Sequence, residues 1–313
     1  MKKLYSLVLI LGLALVLAAC GGADDNKKSS DKSSNGDSSK GMIPDTLVIG
    51  FVPSQDSDTI ADTVAPLADR LGEKLGIKVK SQVMTDYNAL VEAMGANQVH
   101  IGFIPAFGYV LAKEQYDVEV ILKSMRNGSG TYKAQYLVRA DSGINSLEDL
   151  KGKIWAYADQ GSTSGYLFPA NQLMEKFDLE SPEELADFFG GTTPTGGHDN
   201  AAIAVYEGDA DVATTFDDVR TDLEKEYPDI MEKLKVLDYT DDIPNDTISV
   251  TKELDKDFVQ KVKDTFLSFN DDPDMIKIMN DVYNWNAIDE ASDEEYQVVK
   301  DTYAKFKDSV ELD

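Results

Sequence analysis

Apolar and polar positions alternate along this chain in two rhythms. Leu47-Val-Ile-Gly-Phe-Val52 is a short apolar run ended by Pro53, the pattern of a buried strand. Ile60, Val64, Leu67, Leu71 and Leu75 then recur at helical spacing up to Gly76, which predicts an amphipathic helix with a glycine stop. A strand near residues 79–84, a helix over 87–95 and a strand at 100–104 continue the alternation. A second series begins near Tyr132, with strands at 135–139 and 153–158, a helix over 164–177, a helix over 201–207, and strands at 211–216 and 235–239. A strand at 247–251 and helices at 257–269, 274–282 and 294–306 complete the pattern. This is the spacing of βαβ units, so the expected fold class is α/β. About 270 residues of such alternation exceed what one core usually holds, which predicts two lobes with a cleft between them.

The first residues have a different pattern. Lys2 and Lys3 precede a nearly unbroken apolar run, Leu4 to Leu17, and then Leu17-Ala-Ala-Cys20-Gly21. That run is too short for a comfortable bilayer span and fits the core of a signal peptide. The segment resembles a bacterial lipoprotein signal, which implies cleavage before Cys20 and a lipid on its sulfur. Residues 1–19 are therefore expected to be the signal, and 20–45 a lipidated Cys and flexible tether of Ser, Asp, Lys, Asn and Gly. The folded part is expected to begin near Thr46.

Composition narrows the partners. The chain has 313 residues, 57 acidic against 30 basic, and a formal net charge of -27. Loss of Lys2 and Lys3 would leave 28 basic side chains and deepen the charge to -29. Such a surface repels polyanions, so no nucleic acid partner is expected. Cys20 is the single cysteine, which excludes a disulfide within the chain. With His100 and His198 the only histidines, a multi-histidine metal site is not expected. No phosphate-loop or dinucleotide-binding glycine motif occurs, and no cofactor is expected.

Two segments carry candidate chemistry. In Ile154-Trp-Ala-Tyr-Ala-Asp-Gln-Gly-Ser162-Thr163-Ser164-Gly165-Tyr166 a buried strand runs into a glycine turn, three hydroxyl residues and a helix. A helix N-terminus offers unpaired N–H groups and the positive end of the dipole, so hydroxyls there suit a small tetrahedral oxyanion. Simple capping by Ser162 or Thr163 is the competing reading. The second segment, Gly196-Gly-His198-Asp-Asn-Ala-Ala-Ile-Ala-Val205, is expected to hold His198 in a flexible, accessible glycine-rich loop, where imidazole can donate to an oxyanion.

Together with Asp-Val-Ala-Thr-Thr-Phe-Asp-Asp at 211–218, these motifs resemble the phosphonate-binding proteins of ABC importers, a family with phosphite- and phosphate-binding members. The likeness covers the chain from Thr46 onward. It implies a two-lobed type II periplasmic-binding-protein fold with a ligand cleft, lobe 1 over 46–131 plus 246–313 and lobe 2 over 132–245. It implies that Ser162, Thr163, Ser164 and His198 hold the oxyanion, that Tyr87 and Tyr132 contact it from either side, and that Asp218 and Asp246 are acidic positions of the site. Asp217 is the alternative to Asp218. One departure lies at Ile104-Pro105, where the phosphonate-binding type has Tyr-Gly-Asn.

Two carboxylates beside an anion suggest a ligand with a P–OH proton or an ammonium, which favours phosphorus oxyanions over sulfate. The resemblance implies a monomeric receptor, not an enzyme, held on the outer face of the cell membrane and serving a permease and its ATPase. The alternatives are a binding protein of the same fold for a sulfonate or nitrate, an envelope hydrolase using Ser164, His198 and Asp218, and an adhesin with a degenerate cleft.

Overall fold

A computed structural model describes residues 41–307 of the chain. The expected signal segment, Cys20 and most of the tether lie outside the described residues. None of the described helices is long and apolar enough to cross a membrane.

Eleven strands form two sheets among the described residues. The first contains β1 (Thr46–Phe51), β2 (Lys78–Val83), β3 (Ile101–Ile104), β4 (Glu119–Met125), β10 (Thr247–Val250) and β11 (Ala287–Glu290). Its order is β11-β4-β10-β3-β1-β2. β1 lies parallel between β2 and β3, as the βαβ reading requires, while β10 runs antiparallel between β3 and β4. The inner strands β3 and β10 are buried at every position, whereas edge strand β2 alternates in exposure. Helix Ser57–Leu75 covers this sheet with the predicted stripe buried. Asp56 caps its start by accepting from Thr59 N at 2.8 Å, and Gly76 ends it at φ 74°, a left-handed turn that glycine adopts without strain.

The second sheet contains β5 (Thr131–Arg139), β6 (Ile154–Tyr157), β7 (Gly191–Pro194), β8 (Val212–Phe216) and β9 (Leu234–Pro244), in the order β7-β6-β8-β5-β9. β6 runs parallel to β7 and β8, and β5 runs antiparallel to β8 and β9.

The chain passes between the sheets twice, from β4 to β5 through residues 126–130 and from β9 to β10 through Asn245 and Asp246. These two crossings bind each other: Asn245 N donates to Gly130 O, and the Asn245 amide donates to Ser124 O and Ser129 O. The site therefore sits beside a pair of cross-tied connections rather than two independent loops.

The ordered fold begins earlier than the sequence pattern indicates. Met42 pairs with the segment at Leu254, its N–H donating to Glu253 O and its carbonyl accepting from Asp255 N. Further elements lie outside the sequence pattern, among them helices Ala106–Tyr116 and Pro182–Phe188 and the strands β4, β7 and β11.

Candidate functional site

The hydroxyl segment is built by β6 and the turn that leaves its C-terminal end. Asp159 turns the chain, its carboxylate accepting from Gly161 N at 2.6 Å. Ser162 caps the next turn, its Oγ accepting from Gly165 N at 3.0 Å. Thr163–Leu167 forms a single π-type turn in which Leu167 N reaches back to Ser162 O, and helix Phe168–Phe177 continues from it. Such wide turns recur at functional sites because they re-aim side chains without ending the helix. The segment rests on Trp155, whose indole N–H donates to Thr214 Oγ1 at 2.8 Å, while that hydroxyl donates to Gly165 O.

His198 corrects the sequence expectation. It is the first residue of helix His198–Glu207, 3% exposed, not part of an accessible loop. Its backbone N–H donates to Ser54 O at 2.9 Å, and its ring meets Phe216 edge-on. Its Nε2 lies 3.2 Å from Ser162 Oγ. Gly165 N already donates to that oxygen, so the Ser162 proton can go to Nε2, which places the ring's own proton on Nδ1. Nδ1 is buried and has no partner. Burial, with the nearby Arg126 charge second, pushes the imidazole pKa down to about 3, so the ring is neutral at physiological pH.

That depression has a measurable consequence. Between pH 3 and 6.5 the unfolded chain binds a proton on this imidazole and the folded chain does not, so stability falls as pH drops through that window. His198→Gln is expected to remove on the order of 3 kcal/mol of acid-side loss. Urea unfolding of both ligand-free proteins at pH 7, 5.5 and 4.5 checks it, and parallel pH profiles would contradict it.

Ser162, Ser164 and His198 face a cavity of about 450 Å³, counting the space at its mouth. Tyr87, Tyr132 and Asp246 line it as well, so six of the eight candidate ligand residues come together. Burial raises both tyrosine pKa values, and both side chains are neutral hydroxyl donors. The Tyr87 hydroxyl is buried near Ser162 without a well-formed hydrogen bond. Pro105, from the Ile104-Pro105 departure, also lines the cavity.

Thr163 and Asp218 do not line the cavity. The Thr163 hydroxyl instead accepts from Phe107 N at 2.9 Å, joining the second sheet's half of the molecule to the first helix turn after β3. Asp218 is held by Arg220 at 2.6 Å and by Gln135 at 2.9 Å. Together with Asp217 it lines a separate, more polar space beside the cavity.

The sequence reading missed Arg126. It stands in the first crossing, and its guanidinium lies 2.7 Å from Asp246 Oδ2 in the second. It also lies over the Tyr132 ring at 4.8 Å and the Phe216 ring at 5.6 Å. Thus Asp246 has a cationic partner within the protein, and the site is not built from neutral donors alone. Further contacts hold the two halves together at the cleft: Asp56 N donates to the Asp199 carboxylate, and Gln55 and Asn284 both donate to Asp222.

Comparisons with known proteins agree with this geometry. The family described as "ABC transporter, phosphonate, periplasmic substrate-binding protein" matches residues 49–296. The phosphate-import protein PhnD of Mycolicibacterium smegmatis is 30% identical over 262 residues, 81% of this chain and 78% of that protein. The phosphonates-binding periplasmic protein of Escherichia coli is 28% identical over 203 residues, 63% of this chain and 58% of that protein. Among solved structures, a binding-protein component of an ABC phosphonate transporter from Pseudomonas aeruginosa superimposes with a TM-score of 0.74 at 22% identity, covering 82% of this chain and 85% of that one. PhnD1 of Prochlorococcus marinus in complex with methylphosphonate gives 0.73 at 19% identity, covering 84% and 98%. The fold is the two-lobed α/β arrangement of type II periplasmic binding proteins, as the resemblance implied. By the extent of the family match and the identity to its relatives, this chain belongs to the phosphonate family of periplasmic substrate-binding proteins of ABC transporters.

Proposed function

We propose that this chain captures a small phosphorus oxyanion, a phosphonate, phosphite or phosphate, between its lobes and hands it to an ABC permease and its ATPase. The observation that carries this reading is the convergence of Ser162, Ser164, His198 and Arg126 on one buried space. Buried donors without partners are costly, and an oxyanion satisfies several at once. The ligands of the relatives, phosphate and phosphonates, support the same class.

In this reading Tyr87 and Tyr132 contact the ligand from lobe 1 (46–131 plus 246–313) and from the start of lobe 2 (132–245). Thr163 acts through its bond to Phe107 N, which steadies the contact between lobes, and Asp218 anchors Arg220. Asp246 keeps one oxygen for a P–OH proton while Arg126 holds the other. The chain is anchored by lipid at Cys20 after loss of residues 1–19, and works as a monomer on the extracytoplasmic face.

No bond is made or broken. A hydrolase would need His198 aligned by a carboxylate, but Asp218 is taken by Arg220, and the imidazole meets Ser162 rather than Ser164. Phosphorus NMR of methylphosphonate with the full chain in detergent is expected to give a bound resonance and no product over hours. A product, or no bound resonance from methylphosphonate, phosphite or phosphate alike, would contradict this function. Cys20→Ser is expected to move the chain from the membrane to the soluble fraction, and unchanged fractionation would contradict the anchor.

A further inference from the structure

Among the residues lining the cavity, Asp246 is the one carboxylate and Arg126 the one permanent cation. They belong to the two different crossings, and their 2.7 Å contact closes one side of the site. The guanidinium is well enclosed: its side chain is 12% exposed, and it stacks over Tyr132 and Phe216. Its Nε is buried without a hydrogen-bond partner. An unpaired donor on a buried cation calls for an anionic acceptor, which the adjoining cavity can hold.

The same pair bears on which anion fits. A phosphonate with an ammonium on its substituent would need a carboxylate in the cavity wall, and the one present is already engaged. Binding such a ligand would either displace Arg126 from Asp246, leaving the guanidinium unpaired between two rings, or bury two cations side by side. The neighbouring polar space offers no easy escape, because Arg126 and Tyr132 line both spaces and form the wall between them. Of its three carboxylates, Asp218 is paired with Arg220, Asp222 accepts from Gln55 and Asn284, and Asp217 accepts from Lys133 N at 3.4 Å on the far side of the Arg126–Tyr132 wall from the cavity, which it does not line.

Building on the function proposed above, we propose that Arg126 is a specificity-determining residue of this site. Held on Asp246, it occupies the place a ligand's cationic group would need, so the cavity accepts phosphorus oxyanions with an uncharged substituent and rejects aminoalkylphosphonates.

The test compares two ligands of nearly equal size, ethylphosphonate and aminomethylphosphonate, with methylphosphonate as reference, by calorimetry on the full chain in detergent. The wild type is expected to bind ethylphosphonate at least about tenfold more tightly than aminomethylphosphonate. Arg126→Met should cut that ratio by about tenfold and weaken methylphosphonate. Asp246→Asn keeps the cation and removes its partner, so the ratio should widen; this variant and the wild-type ratio decide the matter if Arg126→Met does not fold. Equal affinities in the wild type, including equal failure to bind, overturn the proposal, as does a ratio unchanged by Arg126→Met. Failure of all three phosphonates overturns this proposal alone if phosphite or phosphate still binds the wild type, and failure of those two as well overturns the underlying function, so the two failures are told apart.

Discussion

Replacing both Ser162 and Ser164 with alanine is expected to weaken methylphosphonate or phosphite binding by on the order of a hundredfold or more. In the proposed complex Ser164 donates to a charged oxygen, and Ser162 does so once its proton turns from His198 Nε2 to the ligand; in a buried site such a bond contributes about 1.5–3 kcal/mol. The two residues are 1% and 3% exposed, so their hydroxyls act in an enclosed space. Part of the change falls on stability, because Ser162 also caps the turn through Gly165 N, and losing a cap costs about 0.5–2 kcal/mol. Measuring affinity and unfolding together separates the two effects. A large affinity loss with a small stability loss is the expected pattern. Unchanged affinity would mean that the hydroxyls serve only as caps.

The second large effect lies one layer below the ligand. Trp155→Ala is expected to destabilise the chain by about 3–5 kcal/mol, the usual cost of emptying a buried indole site. Trp155 is 1% exposed and packs against Tyr157, Tyr166 and Phe189 with ring centroids 4.9, 5.4 and 5.0 Å away. Its N–H is the donor that fixes Thr214, and Thr214 in turn fixes Gly165 in the hydroxyl turn. The substitution should therefore weaken ligand binding as well as folding, though it touches no ligand atom. Trp155→Phe keeps most of the packing and loses only the bond to Thr214, so it should retain most of the stability. Equal stability of Trp155→Ala and wild type in urea would contradict this role.

The pattern of apolar positions exposed most of the architecture. Helix Ser57–Leu75 has one buried stripe and a glycine stop, so its limits could be read within a few residues. Helix Ala106–Tyr116 could not be read in the same way. Its first seven residues are all buried, so no polar face marks a period. β11 failed for the opposite reason: Ala-Ile-Asp-Glu is short and half exposed, with little apolar signal.

The site was partly legible. The hydroxyl run and His198 stand in motifs whose local chemistry suits an anion, but nothing before His198 announces a helix start, because its cap is Gly197 with no side-chain bond. Arg126 gave no signal at all. In Met-Arg-Asn-Gly-Ser-Gly it reads as a solvated turn cation, and its meaning comes from Asp246, 120 residues away, when the two crossings meet. Asp218 shows the converse. A clue was close by in Arg220, two residues along, which takes up its charge.

The charge balance also changes in meaning once Arg126 is placed. A net charge of -27 disfavours long-range attraction of any anion, yet one of the thirty cations lies in the cavity wall with a buried Nε that has no hydrogen-bond partner. Affinity then comes from the enclosed site, where Coulomb interactions are least screened, and should depend only weakly on salt.

Titration calorimetry of the full chain with phosphite, methylphosphonate, phosphate, sulfate and nitrate tests the central claim most directly. At least one phosphorus oxyanion is expected to bind once per chain, more tightly than sulfate or nitrate by about tenfold or more, since a P–OH proton can reach Asp246 and neither competitor carries one at neutral pH. Tighter binding of sulfate or nitrate, or no heat from any phosphorus ligand, would contradict it.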